Sequence, residues 1–299
     1  MKVLNIGSLN IDKTYQVEQF VQPKETIQAL EYEEFCGGKG LNQSVALASA
    51  GACVYHAGAV GKDGKELLAM LRQAGVHTDY VNVTDGVSGH AVIQINQSGQ
   101  NNIIIFGGAN QMVRKEYIRS VLKQFEAGDL VLLQNEISNV DFAIEEAKKR
   151  GLTVAFNPSP MNDKVKKCRL DLVDYLIVNE IEGAQLAEID SDEPDRIRKT
   201  LQEKFPNASF VLTLGENGSY YFDQNQTVFR DIFHVDAVDT TGAGDTFCGY
   251  FLAGLTEGRA WDDILARASA ASAIAVGQKG AANSVPKKEA VEQFLAVQK

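Results

Sequence analysis

Short apolar runs alternate with amphipathic stretches along most of this chain. KVLNIG (2–7) and CVYHAGAVG (53–61) are brief, apolar and closed by glycine, which predicts buried strands. DLVLLQNE (129–136), LTVAFNPSP (152–160) and the first half of DYLIVNEIEGAQLAE (174–188) read the same way. SFVLTLGENGSYYF (209–222) reads as strand, turn, strand. Between them, GKELLAMLRQAG (64–75), VDFAIEEAKKRG (140–151), the second half of 174–188 and PDRIRKTLQEKF (194–205) have the spacing of helices. The helix at 140–151 carries its basic residues in the last turn, where the helix dipole favours them. The C-terminal third is helical, over 245–258, 261–280 and 287–298. Its run ASAASAIA suits close approach to a sheet or ligand, and equally a helix of good intrinsic propensity. Strand–helix alternation of this kind predicts the α/β class: a doubly wound, mostly parallel sheet with helices on both faces.

Two stretches break the alternation. Residues 13–35 mix β-branched, aromatic and polar residues around a turn at Pro23. Residues 89–108 alternate apolar and polar, turn at Ser98-Gly99 and alternate again, which is a hairpin pattern. Together, over about 13–35 and 89–106, they predict a small antiparallel sheet projecting from the body. Such a sheet could be a lid over a site, an edge where two subunits meet, or a plain meander. A length of 299 residues permits two domains, but the pattern reads as one, 1–299.

Composition narrows the partners. The net charge of −10 leaves no excess of Lys or Arg for an extended nucleic-acid or anionic-membrane surface, while a small anionic ligand in a local pocket remains open. No apolar run approaches the ~18 residues of a membrane span. The opening MKVLNIGSLNID is too short and polar for a signal peptide, so the expected compartment is cytoplasmic. Cys36, Cys53, Cys168 and Cys248 form no CxxC pair and read as reduced thiols. Cys36, beside a Gly-Gly pair, reads first as a small buried apolar residue. His56, His77, His90 and His234 form no cluster and read as structural or surface residues.

The candidate chemistry lies in loops after strands. There is no GxGxxG between a strand and a helix, and GGKG (37–40) lacks both the Ser/Thr and the upstream glycine of a P-loop. TGAGDTF (241–247) is the stronger motif. Gly242, Ala243 and Gly244 would bring backbone N–H groups and a helix N-terminus to an anion. Asp245 would serve as a base for a hydroxyl, or merely as an N-cap. Asn10 and Asp12 follow the first strand, two apart, and point the same way if extended. That pair suits a polyhydroxylated ligand. GGKGLNQ (37–43) adds flexible glycines, a lysine and Asn42 at a helix start, and Glu136 ends a strand. Asn179 and Glu182, three apart, could hold a hydrated Mg²⁺ or simply cap a helix. TLGENG (213–218) could admit a base or a phosphate, or be a plain hairpin turn.

Taken together, GGKGLNQSVALASAGA (37–52) and DTTGAGDTFCGYFLAGL (239–255), in this order and spacing, resemble the ribokinase-like (PfkB) family of sugar kinases. GSLNID, GGAN (107–110), FNPSP (156–160), VNEIEGAQL (178–186) and AIAVGQKGAANSVP (273–286) resemble its ribokinase branch. The resemblance spans nearly the whole chain. It implies ATP- and Mg²⁺-dependent phosphorylation of a sugar's primary hydroxyl, with D-ribose giving ribose 5-phosphate. It further implies Asp245 as base and 242–244 as anion hole. Asn10, Asp12, Gly38, Lys39, Gly40, Asn42, Glu136 and Asp245 would hold the sugar. Asn179, Thr213, Leu214, Gly215, Glu216, Asn217, Gly218, Gly244 and Ser269 would contact the nucleotide, although relatives often have Asn or His at the last position. Glu182 would act on Mg²⁺ indirectly. Asp239, Thr241, Ala275, Gln278, Gly280 and Ser284 correspond to a site for K⁺ or a similar cation. A homodimer through the lid is implied as well. Kinases of deoxyribose, fructose or a nucleoside, and a non-catalytic sugar or nucleotide sensor, are the alternatives.

Overall fold

The computed structural model describes residues 1–298. The chain runs β1 (Val3–Ile6), β2 (Asn10–Gln16), β3 (Glu31–Gly37), α1 (Lys39–Ser49), β4 (Val54–Val60), α2 (Lys65–Gln73) and β5 (His77–Val83). Next come β6 (Gly89–Ile95), β7 (Asn101–Phe106), a short 3-10 turn, α3 (Lys115–Leu122), β8 (Leu130–Gln134), α4 (Val140–Lys149) and β9 (Thr153–Asn157). Then follow β10 (Tyr175–Asn179), α5 (Glu180–Ala187), α6 (Pro194–Lys204), β11 (Ser209–Thr213), β12 (Ser219–Phe222) and β13 (Thr227–Arg230). The helices α7 (Ala243–Thr256), α8 (Trp261–Val276) and α9 (Lys288–Val297) close the chain.

Nine strands form one sheet in the order β13-β12-β11-β10-β9-β8-β1-β4-β5. All pairs from β11 through β5 are parallel, and β12 and β13 add antiparallel at one edge. Strand residues are sorted by parity. Val131 and Leu133 face α3 to α6, with Ile118, Ile144 and Ile197. Leu130 and Leu132 face the other layer, with Leu41, Leu67, Phe251 and Ile264. Because both faces are covered, β8 is buried along its whole length and apolar without alternation from Leu130 to Leu133.

The lid is a separate four-stranded sheet, β3-β2-β6-β7. It consists of two antiparallel pairs, β2–β3 and β6–β7, joined by a parallel contact between β2 and β6. Its first strand begins at Asn10, three residues earlier than the sequence pattern suggests, and residues 17–30 form a loop rather than strand. α7 begins at Ala243, not 245, and α8 stops at Val276, not 280. The sequence pattern passed over β5, α3 and β13. β5 and β13 are edge strands with exposed polar positions, and α3 has only eight residues.

Candidate active site

From β1 the sheet grows one way through β4 and β5 and the other way through β8 to β11. In open α/β sheets the crevice beyond the carboxyl ends at such a reversal is where ligands bind. The predicted residues fall there: Asn10 and Asp12 beyond β1, Glu136 beyond β8, Asn179 at the end of β10 and Thr213 at the end of β11.

Asp245 sits in the first turn of α7 and is only 7% exposed. The helix is started by Gly242, whose φ of 76° is left-handed and suits a residue without Cβ. Asp245 is therefore not the N-cap, and no side chain caps this helix. One turn further, a Cβ added to Gly249 would lie 2.3 Å from the Cβ of Ala46, so α7 and α1 touch there backbone to backbone. That contact sets Asp245 opposite the start of α1. Asn42 Nδ2 donates to its Oδ2 at 3.0 Å and Gln43 Nε2 to its Oδ1 at 2.8 Å. Lys39 Nζ lies 3.8 Å from Oδ1. The Asp245 charge, outweighing burial, raises the Lys39 ammonium above its ordinary value.

Glu136 is held by the same loop. Its Oε2 accepts from Ser8 Oγ and from the Lys39 backbone N–H at 3.0 Å. Burial raises its carboxyl despite the Ser8 hydrogen bond and the Lys39 charge. Asp12 stands over Gly37 on the adjoining lid strand. Burial, with Glu136 and Asp245 nearby, lifts its carboxyl to about 7. Asn10 Oδ1 accepts from Asn110 Nδ2 at 2.7 Å, which leaves its own amide N–H groups to donate. Gly38 precedes α1, and Gly40 donates its N–H to Ser8 Oγ at 3.1 Å. Three carboxylates, two amides and one ammonium thus converge, a set rich in acceptors that fits a ligand presenting several hydroxyls.

On the far side of the α7 N-terminus lies a cavity of 640 Å³. Thr213, Gly215, Glu216, Asn217 and Gly218 form one wall, with Gly244 and Ser269 opposite. A Cβ added to Gly244 would meet no protein atom within 4 Å, so the backbone there opens onto the cavity. Phe247 and Val276 supply apolar surface. Leu214 differs from its neighbours, since its side chain is buried in the core. Asn179 and Glu182 form a capping box: Asn179 Oδ1 accepts from Glu182 N at 2.8 Å, and Glu182 Oε2 from Asn179 N at 3.2 Å. Neither lines the cavity.

Beside the same helix start, Asp239 ties two loops together. Its carboxylate accepts from Thr241 N and Gly280 N, each at 2.9 Å. Burial opposes the charge, yet these hydrogen bonds hold the carboxyl below its ordinary value. Ala275 O accepts from Gln278 N at 3.1 Å, and Ser284 Oγ donates to Ala281 O at 2.9 Å. All six predicted cation-site residues therefore lie on the two joined loops and the end of α8.

Four participants carry no role in the sequence reading. Ser8 and Gln43 hold the carboxylates of Glu136 and Asp245, Asn110 holds Asn10, and His234 lines the cavity. Ser8, Gln43 and Asn110 lie inside motifs that were already conspicuous, but their partners are far away in sequence. His234 has no local signal.

A sequence model of the pfkB family carbohydrate kinases matches residues 1–288. The chain belongs to this family. Among relatives, it is 34% identical to the ribokinase of Haemophilus influenzae, over 97% of each chain. It is 32% identical to the deoxyribokinase of Salmonella typhi, over 99% of each. The structure of Arabidopsis thaliana ribokinase complexed with ribose and ATP superposes with a TM-score of 0.85 at 31% identity, covering 98% of each chain. This pfkB protein is accordingly a kinase of the ribokinase type, with the family's sheet and lid. Among its described residues no helix is long and apolar enough to cross a membrane.

Proposed function

We propose that this kinase transfers the γ-phosphoryl group of ATP to the primary hydroxyl of a small sugar, D-ribose first among candidates, to give ribose 5-phosphate. The observation that carries the reading is the two-sided start of α7. The Asp245 carboxylate is turned toward the acceptor-rich crevice, and the glycine backbone beside it opens onto the cavity. The sugar lies among Asn10, Asp12, Asn42 and Glu136, with its primary hydroxyl at Asp245. Asp245 takes the hydroxyl proton as the sugar oxygen bonds to the γ-phosphorus. The bond from phosphorus to the bridging oxygen breaks, and ADP leaves. Backbone N–H groups at 242–245 stabilise the charge on the transferring group. The lid, carrying Asp12, excludes water as a competing acceptor.

Mg²⁺ fits this site as a nucleotide-borne ion. No cluster of three or more metal-ligating side chains occurs among the described residues, and Glu182 keeps one carboxylate oxygen outside the capping box. Mg²⁺ takes few protein ligands when phosphates supply the rest, and it neutralises phosphate charge. The hard oxygens of Asp239, Thr241 and Ser284 suit K⁺, whose part would be to fix the two loops beside the anion hole. The exposed Ile103, Ile104, Ile105 and Phe106 on β7, an edge strand of the lid, support a homodimer through the lid, which light scattering would test.

Deoxyribose is the second reading, favoured by the similarity to a deoxyribokinase. A panel of ribose, deoxyribose, fructose and nucleosides in an ATP-consumption assay decides. Ribose should give the highest kcat/KM, and a nucleoside or deoxyribose preference would overturn the assignment.

A further inference from the structure

We infer that Gln43 is a positioning residue for the base, and that a directed chain of buried amides fixes which end of Gln43 faces Asp245. The inference rests on Asp245 acting as proposed above. Gln43 is 1% exposed and contacts the base alone of the three carboxylates. Its Nε2 donates to Asp245 Oδ1 at 2.8 Å and to Asn157 Oδ1 at 3.3 Å, while its Oε1 accepts from Gln134 Nε2 at 2.6 Å.

The two ends of a side-chain amide have nearly the same shape, so only their partners distinguish them. Here both branches end at main-chain carbonyls, which can only accept. Gly40 O accepts from Asn5 Nδ2 at 2.8 Å, which turns Asn5 Oδ1 to Gln134 Nε2 at 3.0 Å. The same Gln134 nitrogen donates to Gln43 Oε1. On the other branch, Ile177 O accepts from Asn157 Nδ2 at 2.8 Å, which turns Asn157 Oδ1 to Gln43 Nε2. Each branch independently requires Gln43 to present N–H to Asp245. Buried amides between sheet and helix are costly unless partnered, and Gln43 itself reaches the reacting groups only through Asp245. Its effect there is to hold the carboxylate in one plane, so that a lone pair stays aimed at the hydroxyl. Aim matters, because an error of about 1 Å in a reacting group can cost ~100-fold in rate.

The test is Gln43→Met, which keeps the length and removes the donor. With the best sugar of the panel, kcat per nucleotide-binding site should fall about 10- to 100-fold, as for loss of one charge-assisted hydrogen bond at the reacting group. The KM for ATP should stay within about twofold, a split that general loss of structure would not give. Gln43→Glu, which sets an acceptor against Asp245, should lose more. A kcat within about twofold of wild type in Gln43→Met overturns the inference. If neither variant folds, the side-chain amide NMR signals of Gln43 in the intact protein decide. They should move in Asp245→Asn, and unmoved signals overturn the inference. Asp245→Asn is assayed in parallel. Full turnover there refutes the base itself, whereas an inactive Asp245→Asn beside a fully active Gln43→Met refutes only the role of Gln43.

Discussion

Lowering the pH from about 8 to about 6 should weaken sugar binding roughly tenfold, and the effect should pass through Asp12. Burial first, then the neighbouring Glu136 and Asp245 charges, lift this carboxyl to about 7 in the ligand-free crevice. Sugar hydroxyls donate more strongly to an ionised carboxylate than to a carboxylic acid. Binding therefore selects the ionised form and expels the proton that the free site holds. At about pH 6 some nine-tenths of free sites are protonated, and at about pH 8 some one-tenth, which gives the tenfold ratio. Titration calorimetry without nucleotide, in two buffers of different ionisation heat, measures both quantities. Proton release should be about 0.9 per sugar at pH 6 and about 0.1 at pH 8. Asp12→Asn should flatten the affinity profile and abolish the release. An affinity independent of pH in the wild-type protein, or uptake of a proton on binding, would refute the reasoning.

The same carboxyl should cost stability. Its folded value lies above its unfolded one, so between about pH 4 and 7 the native chain keeps a proton the unfolded chain has lost, and stability falls across that window. Asp12→Asn should then stabilise the protein at pH 8, on the order of 2–4 kcal/mol, with the gain shrinking toward pH 4 in thermal melts. Asp245→Asn should lose about 10²- to 10⁴-fold in kcat while still binding nucleotide, as seen by ADP-coupled assay and fluorescent-nucleotide titration; near-normal turnover would sink the base assignment. Gly249→Ala should force α7 from α1, because its methyl would lie 2.3 Å from Ala46 Cβ and 2.8 Å from Leu47 N. The expected cost is about 1–3 kcal/mol of stability, with a larger fall in kcat than in ATP affinity, and unchanged kcat would show that the helix contact does not place Asp245.

The parallel body was legible because strands covered on both faces are apolar through their middles, as 130–133 and 154–156 are. Edge strands escape that rule. β5 reads HTDYVNV, with His, Asp and Asn interrupting its strand-favouring Thr, Tyr and Val and no residue fully buried, so its signal is weak. The lid's alternation was visible, but the parallel pairing of β2 with β6 joins residues about eighty positions apart and leaves no local mark. In the crevice, glycine motifs advertised close backbone approach, and the acidic residues advertised chemistry. The residues that aim them did not, because their partners are remote: Gln134 is 91 positions from Gln43, and Glu136 is 128 from Ser8. Asn179 and Glu182 show a different limit. The spacing that suits a metal pair is also that of a capping box; a capping box forms, and it uses one Glu182 carboxylate oxygen.

A carboxylate in the first turn of a helix ordinarily satisfies that helix's own N–H groups. Asp245 does not. Both its oxygens accept from α1, through Asn42 and Gln43, and Lys39 adds a positive charge from the same helix. The backbone at the start of α7 is thereby left without a side-chain cap. The two facts are one arrangement. If Asp245 turned inward to cap its helix, the proposed base and the proposed anion hole would both be lost in the same movement. Donors on α1 hold both of its oxygens away from its own helix, so in the proposed mechanism the aim of a single glutamine amide bears on both halves of phosphoryl transfer.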